Sequence, residues 1–383
     1  MDLPFLMLVV LLTGIGVLMV FSASYATAVG EGRDATYYFI KQAQFAAMGF
    51  VLMYIASKVN YQWYRWASVL VLGLAFVMLI LVLIPGFHTV RTDGVKRWLK
   101  MPVIHAFQPS EMAKLGVILY FAARMSKRNT EKKRRYDTQK PSGVIFQALE
   151  DSGFMELVPY GMILLAIIVL MYFEPHMSGT ILILIPAAAI LFTGGVKLRW
   201  FALGGSLVVG LLAIIITTTD YMTARINLWQ DPWAYPRDGG YQIIQSLYAI
   251  GSGGLFGVGF GKGRQKLGFL PEAENDFIFS IACEELGLIG AGLILILFVL
   301  LILRGYWIAL HARDRFGSLL VVGITTLMAV QVFLNISVVT NFLPTTGVSL
   351  PFFSYGGTAL MIQLIEMGIV LGVSRQIPAP KQG

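Results

Sequence analysis

The sequence predicts an all-α polytopic membrane protein of about ten transmembrane helices. Its N and C termini are expected to be cytoplasmic, with one large extracytoplasmic loop between helices 7 and 8. Three observations predict this. Hydrophobic residues make up 57% of the 383 and charged residues only 13%, against about 25% charged in a soluble domain. Mean hydropathy is +0.73. The apolar residues fall into runs approaching the roughly 20 residues that cross a bilayer as a helix.

In chain order, the runs lie near Leu3–Ala23, Ile40–Ile55, Trp66–Ile84, Glu111–Met125, Leu157–Phe173, Gly179–Thr193, Phe201–Thr218, Phe277–Leu303, Leu319–Val339 and Tyr355–Val373. Met1-Asp2-Leu3 lacks the basic start of a cleaved signal peptide, so the first run reads as a retained span. An even count puts both termini on one side. Lys and Arg decide which. With the termini inside, seventeen of the 29 lie in cytoplasmic loops and the tail, and ten lie outside. The whole reads as a single transmembrane domain over 1–376. It has a basic cytoplasmic loop at 126–143, a large outer loop at 220–276 and a disordered tail at 377–383. The 220–276 stretch mixes aromatic, glycine and charged residues, as a re-entrant or membrane-skimming segment would.

Several functions are disfavoured. The net charge of +8 sits mostly on one face, in loops suited to lipid headgroups rather than nucleic acid. The single cysteine, Cys283, permits no internal disulfide, and no Cys/His spacing suits zinc. The glycine-rich run from Gly251 to Gly263 lacks the strand–helix context of a nucleotide loop. It reads instead as flexible backbone near a lipid headgroup.

Ionisable residues inside or beside spans call for partners or functions. Glu111 and Lys114 stand three apart on one helical face and can pair. They are either an ion pair at a helix end or a polar site at the mouth of a cavity. Lys96-Arg97-Trp98-Leu99-Lys100 puts cations on the outer face, suited to a phosphate or pyrophosphate headgroup or to packing at the interface belt. Asp276 precedes the eighth span. It is either a helix N-cap or a general base kept ionised by the helix N-terminus. Glu272 and Glu274 beside it would raise its proton affinity or recruit a divalent cation. Glu284 and Glu285 require bonds within the bundle, and Glu366 requires a partner that the sequence does not identify.

Read together, these motifs resemble the SEDS family (shape, elongation, division and sporulation). They are Arg97-Trp98, Phe107-Gln-Pro-Ser-Glu-Met-Ala-Lys114, Gly240-Tyr-Gln242, Gly253-Gly254 with Gly257-Val-Gly259, Phe269 to Phe279, Glu284-Glu-Leu-Gly287, and Leu343 to Gly357. The likeness covers essentially the whole chain and leans to the division branch over elongation or sporulation. It implies a peptidoglycan glycosyltransferase polymerising lipid II outside the bacterial cytoplasmic membrane. Asp276 matches the family's catalytic aspartate. Arg97, Glu111, Lys114, Gln242 and Ser354 match its polar cavity residues, and Glu272 joins them as substrate-binding. The implied partners are lipid II, the growing glycan strand, a class B penicillin-binding transpeptidase, other division proteins and membrane lipids. Asp276, Glu272 and Glu274 are the candidate ligands if a divalent cation, Mg or Mn, takes part. No nucleotide is expected. Two departures stand out. Glu274-Asn275 replaces the family's usual His-Thr, and Glu174-Pro-His176 replaces Gln-Pro-Asp. A lipid II flippase and a non-catalytic division scaffold are the rival readings.

Overall fold

The computed structural model describes residues 1–89, 97–100, 107–128, 141–174, 177–206, 210, 220–237 and 239–377. Three long apolar helices open the chain: α1 (Leu3–Gly30), α2 (Tyr37–Lys58) and α3 (Gln62–Leu83). A two-stranded antiparallel hairpin follows, pairing β1 (His88–Thr89) with β2 (Trp98–Leu99), and Leu99 bridges on to Phe107. Then come α4 (Pro109–Met125), α5 (Pro141–Ser152), α6 (Phe154–Phe173) and α7 (Met177–Thr193). The rest comprises α8 (Asp220–Gln230), α9 (Gly240–Gly253), α10 (Ile278–Leu310), α11 (Arg315–Val339) and α12 (Gly357–Ser374).

Among the described residues, seven helices are long and apolar enough to cross a membrane: α1, α2, α3, α6, α10, α11 and α12. Helices α4 and α7, of 17 residues each, coincide with two further expected runs. The run at Phe201–Thr218 is described as helix only over 198–206 and at 210. Most of it, most of the 126–143 loop and the tail beyond 377 lie outside the described residues. Helix α5 was not expected. It lies where the chain was read as a connector, and its end at Ser152 accepts bonds from Arg199 Nη2 (2.6 Å) and Trp200 Nε1 (3.2 Å).

Burial sorts the helices. In α11 and α12 the apolar window is 78% buried, against 17% in α6, so the former form the centre and the latter faces lipid. Helix α4 is also central, with all but a few of its residues buried, Glu111 and Lys114 included. Its polar pair and short length therefore go with a helix shielded by its neighbours, not one exposed to hydrocarbon. Helix α12 lies close along α2. Gly368 sits against the Met53 carbonyl and Ala56, where a side chain would not fit.

The two ends of the bundle are distinct. Asp2 donates its N–H to Ser374 Oγ (3.0 Å) and pairs with Arg304 (2.8 Å), so both termini share an end. Asp314 meets Tyr61 (2.7 Å) and Gln62 (2.9 Å) there, and Arg128 and Arg315 both donate to the Gly194 carbonyl. The opposite end carries the hairpin, the start of α4, α8, α9 and the loops at 254–277 and 340–356.

The 220–276 stretch is not an irregular skimming segment throughout. Helices α8 and α9 and a short 3-10 turn at Pro232–Ala234 organise its first half. Helix α9 packs on α10, where Ser246 Oγ lies 2.7 Å from Ser280 Oγ and donates to the Val339 carbonyl (2.7 Å). The expected eighth span is broken. Gly287, at φ 68° and ψ −173°, divides α10 into a short arm and a long apolar helix.

Candidate active site

Asp276 lies half-buried on the loop just before α10, at the end opposite the termini. It is not the helix N-cap, which is Phe277 and has no side-chain cap bond. Its main chain is held firmly. Asn335 Nδ2 donates to the Asp276 carbonyl (2.8 Å) and to the Val348 carbonyl (2.7 Å), joining the two loops. Tyr355 N–H donates to the Glu274 carbonyl (2.8 Å). Ser354 Oγ donates to the Asn275 carbonyl (2.7 Å) and accepts from Leu350 N–H (2.7 Å). Ser354 is therefore engaged as a loop staple, not held open for a substrate contact.

The 343–356 loop is itself anchored from below. Gln42 Nε2 donates to the Ser354 carbonyl (3.2 Å), and Gln331 Nε2 donates to the Ser349 carbonyl (3.3 Å). Phe352 adopts a left-handed φ of 64°, and its N–H donates to Gln363 Oε1 (3.1 Å). A bulky residue holds that conformation only where its surroundings over-determine it. Gly347 lies beside the Asp276 carboxylate: a Cβ there would come within 3.3 Å of Oδ2. The absence of a side chain at 347 leaves room on that side of the carboxylate.

The other expected residues form separate groups. Lys114 Nζ pairs with Glu111 Oε2 at 2.7 Å, and the two side chains are 3% and 8% exposed. Glu366, also buried, is the acid whose electrostatics Lys114 and Glu111 influence. Arg97 lies beside β2, with its Nε donating to the Glu174 carbonyl (3.4 Å). Gln242 donates to the Pro271 carbonyl (3.2 Å) and lines a cavity of about 190 Å³ with Arg225, Trp229, Asn341 and Thr345. Glu272 is exposed at a left-handed φ of 54° and accepts from the Asn275 amide.

Glu174 went unrecognised as a site residue in the sequence. It is 1% exposed, just beyond the end of α6, and its Oε1 has no hydrogen-bond partner. Burial pushes its carboxyl up to about 8 even though Arg97 favours the ionised form. At neutral pH it is largely uncharged. The signal was present as a carboxylate closing an apolar run. Asn335, Gln42 and Gln331 were missed too. Each is a side-chain amide inside an apolar helix, which is the pattern that should have marked them.

The carboxylates do not form a ready cation cage. Glu274 is buried and accepts from Thr27 Oγ1 (3.4 Å), burial pushing its carboxyl up, while Glu272 points to Asn275. Among the described residues no group of three His, Cys, Asp or Glu is placed to hold a metal. Asp276, Glu272 and Glu274 thus do not converge as a three-carboxylate metal site, and no step below uses a metal cation.

The glycine-rich run is not loose backbone. Its N–H groups wrap the two carboxylates of α10. Gly261 and Gly263 donate to Glu285 (3.0 and 3.4 Å), and Arg264 and Gln265 donate to Glu284 (2.7 and 3.3 Å). Lys266 Nζ closes the group, donating to Glu285 Oε1 (2.6 Å) and to Ser22 Oγ (2.7 Å). Gly257 and Gly287 lie so close, backbone to backbone, that neither admits a side chain.

The comparisons agree with this architecture. The family model described as "Cell cycle protein", covering FtsW, RodA and SpoVE, matches residues 3–378. The probable peptidoglycan glycosyltransferase FtsW of Geobacter sulfurreducens is 39% identical over 98% of this chain and 95% of its own. Stage V sporulation protein E of Bacillus subtilis is 38% identical over 98% and 97%. A solved chain reported under "Structural coordination of polymerization and crosslinking by a peptidoglycan synthase complex" shares the fold. Its TM-score is 0.75 at 24% identity, with 98% of both chains covered. The rod shape determining protein RodA of Thermus thermophilus superposes at TM-score 0.67 and 24% identity, over 99% of this chain and 98% of that one.

Proposed function

This chain belongs to the FtsW/RodA/SpoVE family, and from that premise we propose that it is a peptidoglycan glycosyltransferase polymerising lipid II during cell division. The observation that carries the reading is the placement of Asp276. It is held through its main chain between two anchored loops, half-buried, with Gly347 leaving space beside its carboxylate.

The reaction follows from that placement. The 4-hydroxyl of the acceptor lipid II sugar gives its proton to Asp276. The oxygen forms a bond to the anomeric carbon of the growing strand. The bond from that carbon to the undecaprenyl pyrophosphate breaks, and the pyrophosphate leaves with the electron pair. One displacement converts an α-linked donor into a β-linked product. Arg97 is the cation assigned to the developing charge, because Glu174 beside it is largely protonated at neutral pH. Lys114 is not assigned that role, since its ammonium is buried against Glu111. Gln242, at its cavity rim, is assigned to sugar contacts.

The orientation is part of the proposal. The protein sits in the bacterial cytoplasmic membrane with its termini inside and Asp276 outside. The cations at the terminus end, among them Lys58, Lys197, Arg304 and Arg375, support this. A class B penicillin-binding transpeptidase is the partner expected to crosslink the strand. Purified protein given lipid II should produce glycan polymer, and Asp276→Asn should lower the rate by at least 100-fold. Polymer from Asp276→Asn at the wild-type rate, or none from the wild type with or without its transpeptidase, would reject the reading.

A further inference from the structure

The loop that cradles Glu284 and Glu285 turns its other face outward. Leu255, Phe256, Phe260, Leu267 and Phe269 are all exposed, Phe256 to 81%. In a loop exposed to water, such a cluster of large apolar side chains would be costly and prone to association. Its setting is not that of an ordinary aqueous loop.

Much of the loop's backbone N–H between 257 and 265 is met by protein. Residues 254–259 fill the break in α10 at Gly287. Leu288 N–H donates to the Gly254 carbonyl (2.9 Å) and Ile289 N–H to the Leu255 carbonyl (3.2 Å). Across the break, Val258 and Gly259 N–H donate to the Glu284 and Glu285 carbonyls (3.0 and 3.1 Å). From 261 to 265, the buried carboxylates of α10 take the N–H groups of Gly261, Gly263, Arg264 and Gln265. Irregular backbone can enter a bilayer only when its polar groups are met by protein in this way. The arrangement thus combines a backbone bonded to protein over most of 257–265 with outward apolar side chains.

The level also fits. From Arg304, which pairs with Asp2 at the terminus end, residues 303 back to 288 rise roughly 24 Å as a helix, within the hydrocarbon thickness of about 30 Å. Leu288, Ile289, Leu293 and Ile296 are exposed on the lipid-facing side of α10. The loop begins where that face ends, so its apolar side chains continue the same surface. Lys262 and Arg264 are exposed on the same loop, placed to meet lipid phosphates.

We infer that residues 255–269 form a membrane-interface anchor, with Phe256, Phe260, Leu267 and Phe269 in the acyl region and Lys262 and Arg264 at anionic lipid headgroups. The occupant of this surface is the bilayer itself, not a protein. The inference stands apart from the chemistry assigned to Asp276. It does place the cradle, and with it the start of α10, at a fixed height relative to the membrane surface.

The test uses nitroxide labels on the full chain with Cys283→Ser as background, in phosphatidylcholine–phosphatidylglycerol vesicles. Labels at Phe256→Cys and Leu267→Cys are compared with Leu293→Cys on the lipid face of α10 and Arg33→Cys on an exposed loop. Collisions with oxygen and with a water-soluble nickel chelate are measured. The expected result at 256 and 267 is the pattern of 293: high oxygen and low nickel accessibility. A nickel accessibility equal to that at 33 would overturn the inference. Shielding from both reagents would overturn it too, since it would mean that a second copy or another protein covers the loop.

Discussion

Asp276 and the Glu284–Glu285 pair lie about two helical turns apart on the same stretch of chain, yet they are built in opposite ways. Glu285 is buried, with its oxygens taken by Ser22, Lys266, Gly261 and Gly263, and Glu284 binds the backbone at 264 and 265. Asp276 is half-buried and is gripped through its carbonyl, beside a glycine that leaves its carboxylate room. The first arrangement consumes carboxylates to shape backbone. The second uses backbone bonds to fix the chain on which a carboxylate stands. The two sites therefore differ in how the chain around each carboxylate is held.

The contrast is sharpened by three variants. Lys266→Met leaves Glu285 as a buried charge without its counter-ion, and such losses cost about 3–5 kcal/mol. Thermal unfolding in detergent should show a large drop, whereas activity per folded molecule should persist. Glu174→Gln tests the acid beside Arg97 through pH. The folded carboxyl has its pKa raised to about 8 from an ordinary value of 4.5. Its contribution to stability is thus full below about 4.5 and is lost as pH rises to about 8. Wild type should lose a few kcal/mol across that window, and Glu174→Gln should lose much less, as read by melting temperature against pH. Ser354→Ala removes the bonds to Asn275 and Leu350, each worth about 0.5–1.5 kcal/mol. It should lower the polymerisation rate severalfold with a small change in melting temperature, because the loop beside Asp276 loosens.

Much of the fold was legible in apolar run length alone. Nine of the ten expected runs coincide with described helices, and Asp2 meets Arg304 and Ser374 at one end of the bundle. The break at Gly287 was not legible, because a lone glycine in an apolar run reads equally well as a packing residue. The glycine run was misread for a related reason. Its composition indicates backbone freedom, but not that the freedom serves to wrap two glutamates some twenty residues onward. Glu366 shows the same limit. The charges that act on it, Lys114 and Glu111, lie on another helix, and helical periodicity carries no information about which distant chain comes near a buried acid. Asp276 and Arg97 were singled out by motif likeness, whereas Ser354's place as a staple between loops required coordinates.

The most direct measurement compares Asp276→Asn with Lys266→Met for both melting temperature and lipid II polymerisation per folded molecule. The account predicts that Asp276→Asn melts like wild type and makes at least 100-fold less polymer, while Lys266→Met melts far lower and still polymerises when folded. An Asp276→Asn protein that polymerises at the wild-type rate, or that loses activity only in proportion to lost fold, would contradict it.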